Sequence, residues 1–476
     1  MVAARPVAWP SVTARGPADL IAIPEEAQRL GAAFREAGHE LHLVGGTVRD
    51  ALMGRADDDL DFTTDARPDD IVRIVSGFGP MWTTGIEFGT VGVHLNERQC
   101  EITTFRADRY DRITRRPEVA YGDSLVDDLR RRDFTMNAMA LSVTGEHTFT
   151  DPFGGLADLA RGLLRTPSTP EESFADDPLR MLRAARFVST LRVTVAPEVR
   201  AAMTAMAGEI SRISVERVQA ELSKLLLGVA PREGLQLLVD SGLADHVLPE
   251  LPALRMAADE HGQHKDVYAH TLQVLDQAID LEESPDLVLR WAALLHDIGK
   301  PATRRFESDG RVTFHHHEAV GARMARVRLR ALRYSKDIVD DVAQLVFLHL
   351  RFYGYGRGEW TDSAVRRYVV DAGPLLPRLH KLVRSDCTTR NKRKAAALSS
   401  AYDALEERIA QLREQEELDS IRPDLDGNAI MAVLGIPAGP MVGRAYKHLL
   451  ASRMEHGPLG YDRAVEELKR WAADQQ

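Results

Sequence analysis

Cysteine is nearly missing from this chain: Cys100 and Cys387 are the only two in 476 residues. Two thiols cannot build a disulfide framework, which fits a reducing, cytoplasmic setting. Long apolar runs are missing as well. No stretch approaches the roughly 18 uncharged apolar residues of a membrane span, so no membrane partner is expected. Positive charge is in the minority, with 61 Lys and Arg against 71 Asp and Glu, a net charge of −10. That balance excludes a globally basic nucleic-acid binder but leaves room for a local basic groove. The opening MVAARPVAWPSVTARGP carries arginines and no acids, yet has no apolar segment long enough for a secretory signal. Residues 1–23 therefore read as a disordered lead-in. The remaining composition, 44% hydrophobic and 28% charged, is that of a globular protein and rules out collagen-like or low-complexity chains. The length suits roughly three domains of about 150 residues, and no fixed-period repeat is present. Oligomeric state is left open.

Local patterning divides the chain. Pro24–Gly38 has helical spacing, with Pro24 placed to start the helix and Gly38 to stop it. Leu41–Val44 is a short β run ending in Gly45-Gly46, and Val48–Met53 resumes a helical pattern. Thr90–Leu95 and Gln99–Phe105 read as paired strands around the polar turn Asn96-Glu97-Arg98. From Leu125 onward the spacing predicts helix without interruption. The expected division is an α/β head at 24–150, a helical neck at 151–260, a helical domain at 261–395 and a helical tail at 396–476. The charged tail reads as a helix covering its neighbour, with a coiled-coil-like partner surface as the other possibility.

Three clusters in the head carry chemistry. In Leu43-Val44-Gly45-Gly46-Thr47-Val48-Arg49-Asp50 a strand delivers two glycines to a helix start. Backbone N–H groups at such a turn approach a phosphate closely, and Arg49 could donate two hydrogen bonds to phosphate oxygens. Ten residues on, Asp59 and Asp61 flank Leu60. Residues two apart on a strand share a face. Two carboxylates so placed repel unless cations separate them, and Mg²⁺ with substrate phosphates supplies that. Glycines, Arg and then paired Asp form the layout of the DNA polymerase beta superfamily, where two metals activate a terminal hydroxyl. Glu101, on the strand QCEITTF, is the candidate third carboxylate. The basic run Arg130-Arg131-Arg132, with Arg132 next to Asp133, offers cations for a triphosphate.

The motifs LVGGTVRD, DLDFTT, TGIEFGTVGV…EITTFR, RRDFTMNA, DPFGGLADL and DDPLRMLRAARF follow one another in order. Over about Leu41–Leu227 this set resembles the bacterial class II tRNA nucleotidyltransferases, the CCA-adding enzymes. Bacterial poly(A) polymerases share many of the motifs. The Thr84–Val93 stretch and the loop Tyr110–Pro117 look more like the CCA-adding branch, in which that loop is implicated in the switch to A addition. The resemblance also gives the neck a role. Asp177, Arg180, Arg183 and Arg186 recur at intervals of three on a predicted helix. Cytosine and adenine each present an amino donor beside a ring-nitrogen acceptor, which one carboxylate and one guanidinium complement. Guanine and uracil reverse that order and would leave buried groups unpaired. The resemblance assigns this template role to Asp177 and Arg180, with Arg183 and Arg186 helping to hold the nucleotide. Asp176 stands where the family usually has Glu.

A second site is expected further on. His296-Asp297 lies in LLHDIGKP, His270 precedes it in VYAHT, and Asp386 follows in VRSDC. The mixed N/O set suits a divalent transition metal or Mg²⁺, and the pattern resembles the HD phosphohydrolase superfamily over about His261–Lys394. His317 and His349 could enlarge the site. Lys381–Lys394 holds six basic residues and one acid, either a solvated helix end or an RNA-phosphate contact. The resulting expectation is an α+β fold: a DNA-polymerase-beta-like head, then an all-helical neck and body containing an HD-type domain. Its function would be a cytoplasmic nucleotidyltransferase acting on tRNA with CTP and ATP, using Mg²⁺. One alternative is a poly(A) polymerase. Another is an RNA-binding or regulatory HD phosphohydrolase with an inactive transferase head.

Overall fold

The computed structural model describes residues 16–475 except 56–58, 97, 108–119, 123, 257–265, 309–311, 353–359, 389–390 and 416–420. It divides into two units, Met1–Val247 and Leu248–Gln476.

Strict alternation shapes the first unit. Along Arg98–Thr104, Cys100, Ile102 and Thr104 are buried, while Gln99, Glu101 and Thr103 face outward. This strand belongs to a mixed seven-stranded sheet, whose members are β1 (Leu41–Val44), β2 (Leu60–Thr64), β3 (Met81–Trp82), β4 (Thr90–Leu95), β5 (Arg98–Thr104), β8 (Ala140–Ser142) and β9 (Phe149–Thr150). A short ribbon, β6 (Arg106–Ala107) with β7 (Ala120–Tyr121), stands apart from it. The sheet order is β3-β4-β5-β2-β1-β8-β9, with β2 and β5 parallel and the other pairs antiparallel. Phe62, Ile102, Val91 and Val93 fill the covered face at 1% exposure or less, each contributing about 1.5–3 kcal/mol by burial.

β8 and β9 correct the expectation of unbroken helix after Leu125. β8 pairs with β1 through Leu43↔Leu141 and Val44↔Ala140. The run Ala138–Val143 (AMALSV) is almost wholly apolar, and such a run carries no period that distinguishes a central strand from a helix. Short strands also occur beyond it, at Leu163–Leu164, Thr194–Val195, Arg305–Phe306 and Val312–Thr313.

The helices of 155–247 pack within the same unit as the sheet. Pro170–Asp176 ends two residues before Pro178, and the next helix is Leu179–Leu191. A residue preceding proline is pushed off the helical conformation, and Asp177 is extended at φ −139°, ψ 99°. Asp177 therefore does not share a helix with Arg180, Arg183 and Arg186, as the three-residue spacing suggested. Its carboxylate instead caps their helix, accepting from the Leu179 N–H at 3.1 Å.

The second unit is helical. Val267–Ile279, Leu287–Leu295, His317–Ala331, Lys336–Leu348 and Leu376–Ser385 enclose a core that includes Trp291. Asp266, Asp286 and Ser335 cap three of these helices through their side chains. Lys392–Gln415 lies against this bundle through buried Tyr402, Leu405, Ile409 and Leu412. The tail is more than a covering helix. Gly427–Leu434, Pro440–His456 and Tyr461–Ala473 form their own core from Leu425, Ile430, Ala445, Leu449, Ala464 and Leu468. No helix among the described residues is long and apolar enough to cross a membrane.

Candidate active site and a second metal centre

The parallel pairing of β2 with β5 sets Asp61 opposite Glu101. Both side chains face a polar cleft of about 370 Å³, lined also by Thr90, Thr103, Arg106, Asp128, Arg131, Arg132, Asp176 and Arg180. Asp59 stands exposed at the entrance of β2. Thr47 ties it to Asp61, its hydroxyl donating to the Asp59 carbonyl (3.4 Å) and accepting from the Asp61 N–H (3.0 Å). Thr47 sits on the helix Gly45–Leu52, so the glycine turn and the acidic strand are one assembly.

Gly45 is required here twice over. Its φ is +67°, and a Cβ would meet the Arg132 guanidinium at 3.1 Å and the Asp61 carboxylate at 3.6 Å. The gap thus lies between an acid and a cation, the arrangement a metal-bound phosphate needs. Gly46 is inside the helix. Arg49 departs from expectation. It is buried, and its guanidinium donates to Asp50 and, at 2.7 Å, to Asn137. The cleft arginines are Arg131, Arg132, Arg106 and Arg180 instead.

Behind the cleft runs a buried ionic network. Asp133 accepts from Arg183 (2.8 Å), from Asn137 (2.9 Å) and from the Phe134 N–H (2.8 Å). Burial pushes its pKa up, but Arg183 and the hydrogen bonds outweigh burial and hold it at about 2. Arg186 pairs with Glu221 at 3.2 Å and is pushed down to about 10, first by burial and then by Arg183. Arg49, Arg183 and Arg186 surround the Phe187 ring at 5.3, 5.6 and 4.3 Å from its centroid. Arg183 and Arg186 are thus engaged by protein groups. Arg180 donates to Ser173 (2.9 Å), to the Arg131 carbonyl and to Asp176 (3.2 Å), whereas Asp177 pairs with Arg217 at 2.7 Å. Asp176, which stands where the family usually has Glu, is the carboxylate beside Arg180 in the cleft. Spacing alone also missed Asp128, Arg217 and Glu221, whose bonds to Thr63, Asp177 and Arg186 span 65, 40 and 35 residues.

Asp133 gives a pH-dependent expectation. Its folded pKa lies below the ordinary 3.8, so its contribution is full above about pH 5 and lost as pH falls toward 2. The shift corresponds to about 2 kcal/mol. Asp133→Asn should be less stable than wild type in urea at pH 7, with the gap narrowing toward pH 3. A gap independent of pH would contradict the assignment.

The second unit gathers six ligand-type residues. His270, His296 and Asp386 form one group, and Asp297, His317 and His349 another, each with its ligand atoms within 4.8 Å. Asp297 joins them: Oδ2 is 3.1 Å from His296 Nε2 and 3.4 Å from His270 Nε2, while Oδ1 is 3.3 Å from His317 Nε2. The helix Leu287–Leu295 stops one residue before His296, so His296 and Asp297 project from its end. Gly299 permits this, because a Cβ there would lie 2.2 Å from the His317 carbonyl. The histidines are pinned from behind. Nδ1 of His296, His317 and His349 donates to the carbonyls of Ala293, Phe314 and Val346, and His270 Nδ1 pairs with Thr388 Oγ1. A carbonyl only accepts, so Nδ1 carries a proton in each of these imidazoles and Nε2 is the nitrogen turned inward, the atom that would serve as a ligand. His349 Nε2 is buried with no hydrogen-bond partner, and its pKa is pushed down to about 4, by burial first and by His296 second. Burial would raise the Asp297 pKa, but His296, His317 and Lys300 outweigh it and hold the carboxylate ionised. Imidazole nitrogens gathered around carboxylate oxygens are the donor set of a divalent metal. The basic run Lys381–Lys394 behaves differently from a free phosphate contact at Arg384, which pairs with Asp403 (2.7 Å) and Glu406 (3.0 Å).

Comparison with known proteins follows this anatomy. Three family profiles match: "Poly A polymerase head domain" at residues 41–165, "Probable RNA and SrmB- binding site of polymerase A" at 192–254 and "HD domain" at 267–389. The A-adding tRNA nucleotidyltransferase of Deinococcus radiodurans is 35% identical over 442 residues, spanning 91% of this chain and 95% of its own. The CCA-adding enzyme of Levilactobacillus brevis is 40% identical over 281 residues, 56% of this chain and 69% of its own. Among solved structures, the Bacillus stearothermophilus CCA-adding enzyme in complex with CTP superposes with a TM-score of 0.68 at 27% identity, covering 97% of this chain and 99% of that one. The chain belongs to the tRNA nucleotidyltransferase family of the bacterial CCA-adding and A-adding enzymes, and its second unit carries an HD domain.

Proposed function

We propose that the first unit adds CMP, CMP and AMP in turn to the 3′ end of tRNA, from CTP and ATP. The observation that carries this reading is the cleft in which Asp61 and Glu101 stand in register, with Arg132 across the Gly45 gap. Asp59, Asp61 and Glu101 would hold Mg²⁺, which when bound supplies activation of the terminal hydroxyl and neutralises the leaving pyrophosphate. Arg132 and Arg131 face the triphosphate, and the Gly45 turn leaves room for its oxygens. Asp177 and Arg180 choose the base: a carboxylate takes the amino hydrogen of C or A, and a guanidinium donates to the adjacent ring nitrogen. Uracil and guanine present donor and acceptor in the reverse order and would forgo both hydrogen bonds, at about 1 kcal/mol each. Arg183 and Arg186 support the nucleotide from the same helix through Phe187. Such a reaction belongs in the cytoplasm, where tRNA is matured.

The poly(A) alternative loses ground because the relatives matching most of the chain are named for tRNA nucleotidyl transfer. The inactive-head alternative loses ground because Asp61 and Glu101 face one cleft together with Arg131 and Arg132. A second reading is favoured by one observation: the Deinococcus relative, matched almost end to end, is named an A-adding enzyme. The loop Tyr110–Pro117, expected to govern A addition, lies outside the described residues. The test is tRNA ending before CCA, or ending in CC, supplied with CTP and ATP separately and together. Complete addition predicts a discrete three-nucleotide extension of the first tRNA when both nucleotides are present. Extension of only the CC-ended tRNA, by ATP alone, would establish A addition instead. Long A ladders on generic RNA would overturn both.

In the second unit the same approach supports a phosphohydrolase centre with two divalent ions. His270, His296 and Asp386 would hold one and His317 and His349 the other, with Asp297 between them. When bound, the ions supply a nucleophilic hydroxide and polarise a phosphoryl oxygen. Lys300 Nζ, 2.6 Å from Asp297 Oδ2, balances the carboxylate charge and faces the same centre.

A further inference from the structure

Asp128 is a buried carboxylate on the wall of the nucleotidyl-transfer cleft, outside every motif used above. It rises from the short helix Leu125–Arg130 and meets three separate elements. Oδ2 accepts from Thr63 Oγ1 at 3.2 Å and from Arg132 Nη2 at 3.3 Å. Oδ1 accepts from the Arg106 N–H at 3.3 Å. Thr63 is two residues beyond Asp61 on the same strand and so shares its face. Its hydroxyl shares its one proton between Asp128 Oδ2 and the Thr103 carbonyl (3.1 Å), on the strand that bears Glu101. Arg132 approaches the Gly45 gap through its other terminal nitrogen, Nη1.

A surface pair four residues apart on a helix is worth only tenths of a kcal/mol and positions nothing. This pair differs in its setting. The Asp128 side chain is 8% exposed and that of Arg132 is 23% exposed, and hydrogen bonds from two other elements fix the carboxylate. A guanidinium on a long stem has many rotamers, and holding one nitrogen fixes the direction of the other. We propose that Asp128 is a positioning residue that aims Arg132 at the phosphates of the incoming nucleotide. Because phosphate is common to every nucleotide, its effect falls on affinity for all of them and not on base choice. This rests on the reading of Arg132 as a phosphate ligand.

The experiment uses the full chain with tRNA lacking its terminal nucleotides, and pyrophosphate as an inhibitor. Asp128→Asn keeps the shape and removes the charge. It should raise KM for CTP and for ATP by the same factor, about fivefold on the scale of one ion pair. The inhibition constant of pyrophosphate should rise with them, kcat should change less than KM, and the preference for C and A over U and G should be unchanged. Thr63→Val removes one hydrogen bond, leaves both charges, and should shift the same constants about twofold; it decides the matter if Asp128→Asn fails to fold. Unchanged KM and pyrophosphate inhibition in a folded Asp128→Asn, or in Thr63→Val, would overturn the proposal. A loss of kcat at constant KM would overturn it too, placing Asp128 with the metal carboxylates. Arg132→Ala separates the two layers: if it leaves KM and pyrophosphate inhibition unchanged, the underlying reading of Arg132 is what fails.

Discussion

Asp61→Ala is expected to lower nucleotide addition by roughly a thousandfold or more, with Asp59→Ala close behind. Both side chains are exposed, so their removal leaves no cavity and should not change thermal stability by more than about 0.5 kcal/mol. The loss arises from charge. Without one carboxylate the cleft retains Arg131, Arg132, Arg106 and Arg180, which can still hold a triphosphate but cannot hold the ions that activate the hydroxyl. Nucleotide affinity should therefore fall far less than turnover. Glu101→Gln, across the sheet from Asp61, should cost less than Asp61→Ala. Incorporation of labelled CMP and AMP under single-turnover conditions measures all three variants. More than a tenth of wild-type turnover in Asp61→Ala would remove the head-site assignment.

Asp297→Asn should abolish hydrolysis by the second unit and reduce its metal content, while nucleotide addition by the first unit continues. Asp297 reaches both ligand groups with its carboxylate, Oδ2 toward His296 and His270 and Oδ1 toward His317. Loss of its charge weakens both positions, whereas His349→Ala removes a ligand from one. Metal analysis of the purified protein after loading with Mn²⁺ should give about two ions per chain for wild type, about one for His349→Ala and fewer for Asp297→Asn. Hydrolysis of bis(p-nitrophenyl) phosphate should fall roughly a thousandfold in Asp297→Asn. Equal metal content in wild type and Asp297→Asn would contradict a shared ligand. Asp297 and His349 are each 1% exposed, so each variant needs its melting temperature alongside.

Local chemistry was legible in the sequence wherever it depends on neighbours along the chain. Gly45 before a helix start, Asp59 and Asp61 two apart on a strand, and His296 beside Asp297 each state their role within a few residues. The alternation of β5 announced which face Glu101 would take. These patterns reflect short periods, two for a strand and 3.6 for a helix, that any fold containing them must respect.

Partnership across the chain was not legible, because periodicity fixes which way a side chain faces and never what it meets. Only the register of β2 against β5 sets Asp61 opposite Glu101, 40 positions away. Only the pairing of β8 with β1 showed that an apolar run was a central strand. Arg49 looked like a phosphate ligand until burial delivered it to Asn137, 88 residues on, and to the Phe187 ring. Arg180 and Asp177 looked like one pair, yet Pro178 turns the chain between them, so Asp176 takes Arg180 and Arg217 takes Asp177. His317, last of the run His315–His317, and His349 lie far along the sequence from His296; packing of their helices aimed both at Asp297's side of the metal centre. The sequence by itself determined the chemical inventory and the local conformation that presents it. Tertiary structure decided which charges neutralise one another and which are left facing a cleft, because burying an unpaired charge costs several kcal/mol and the fold must find each one a partner.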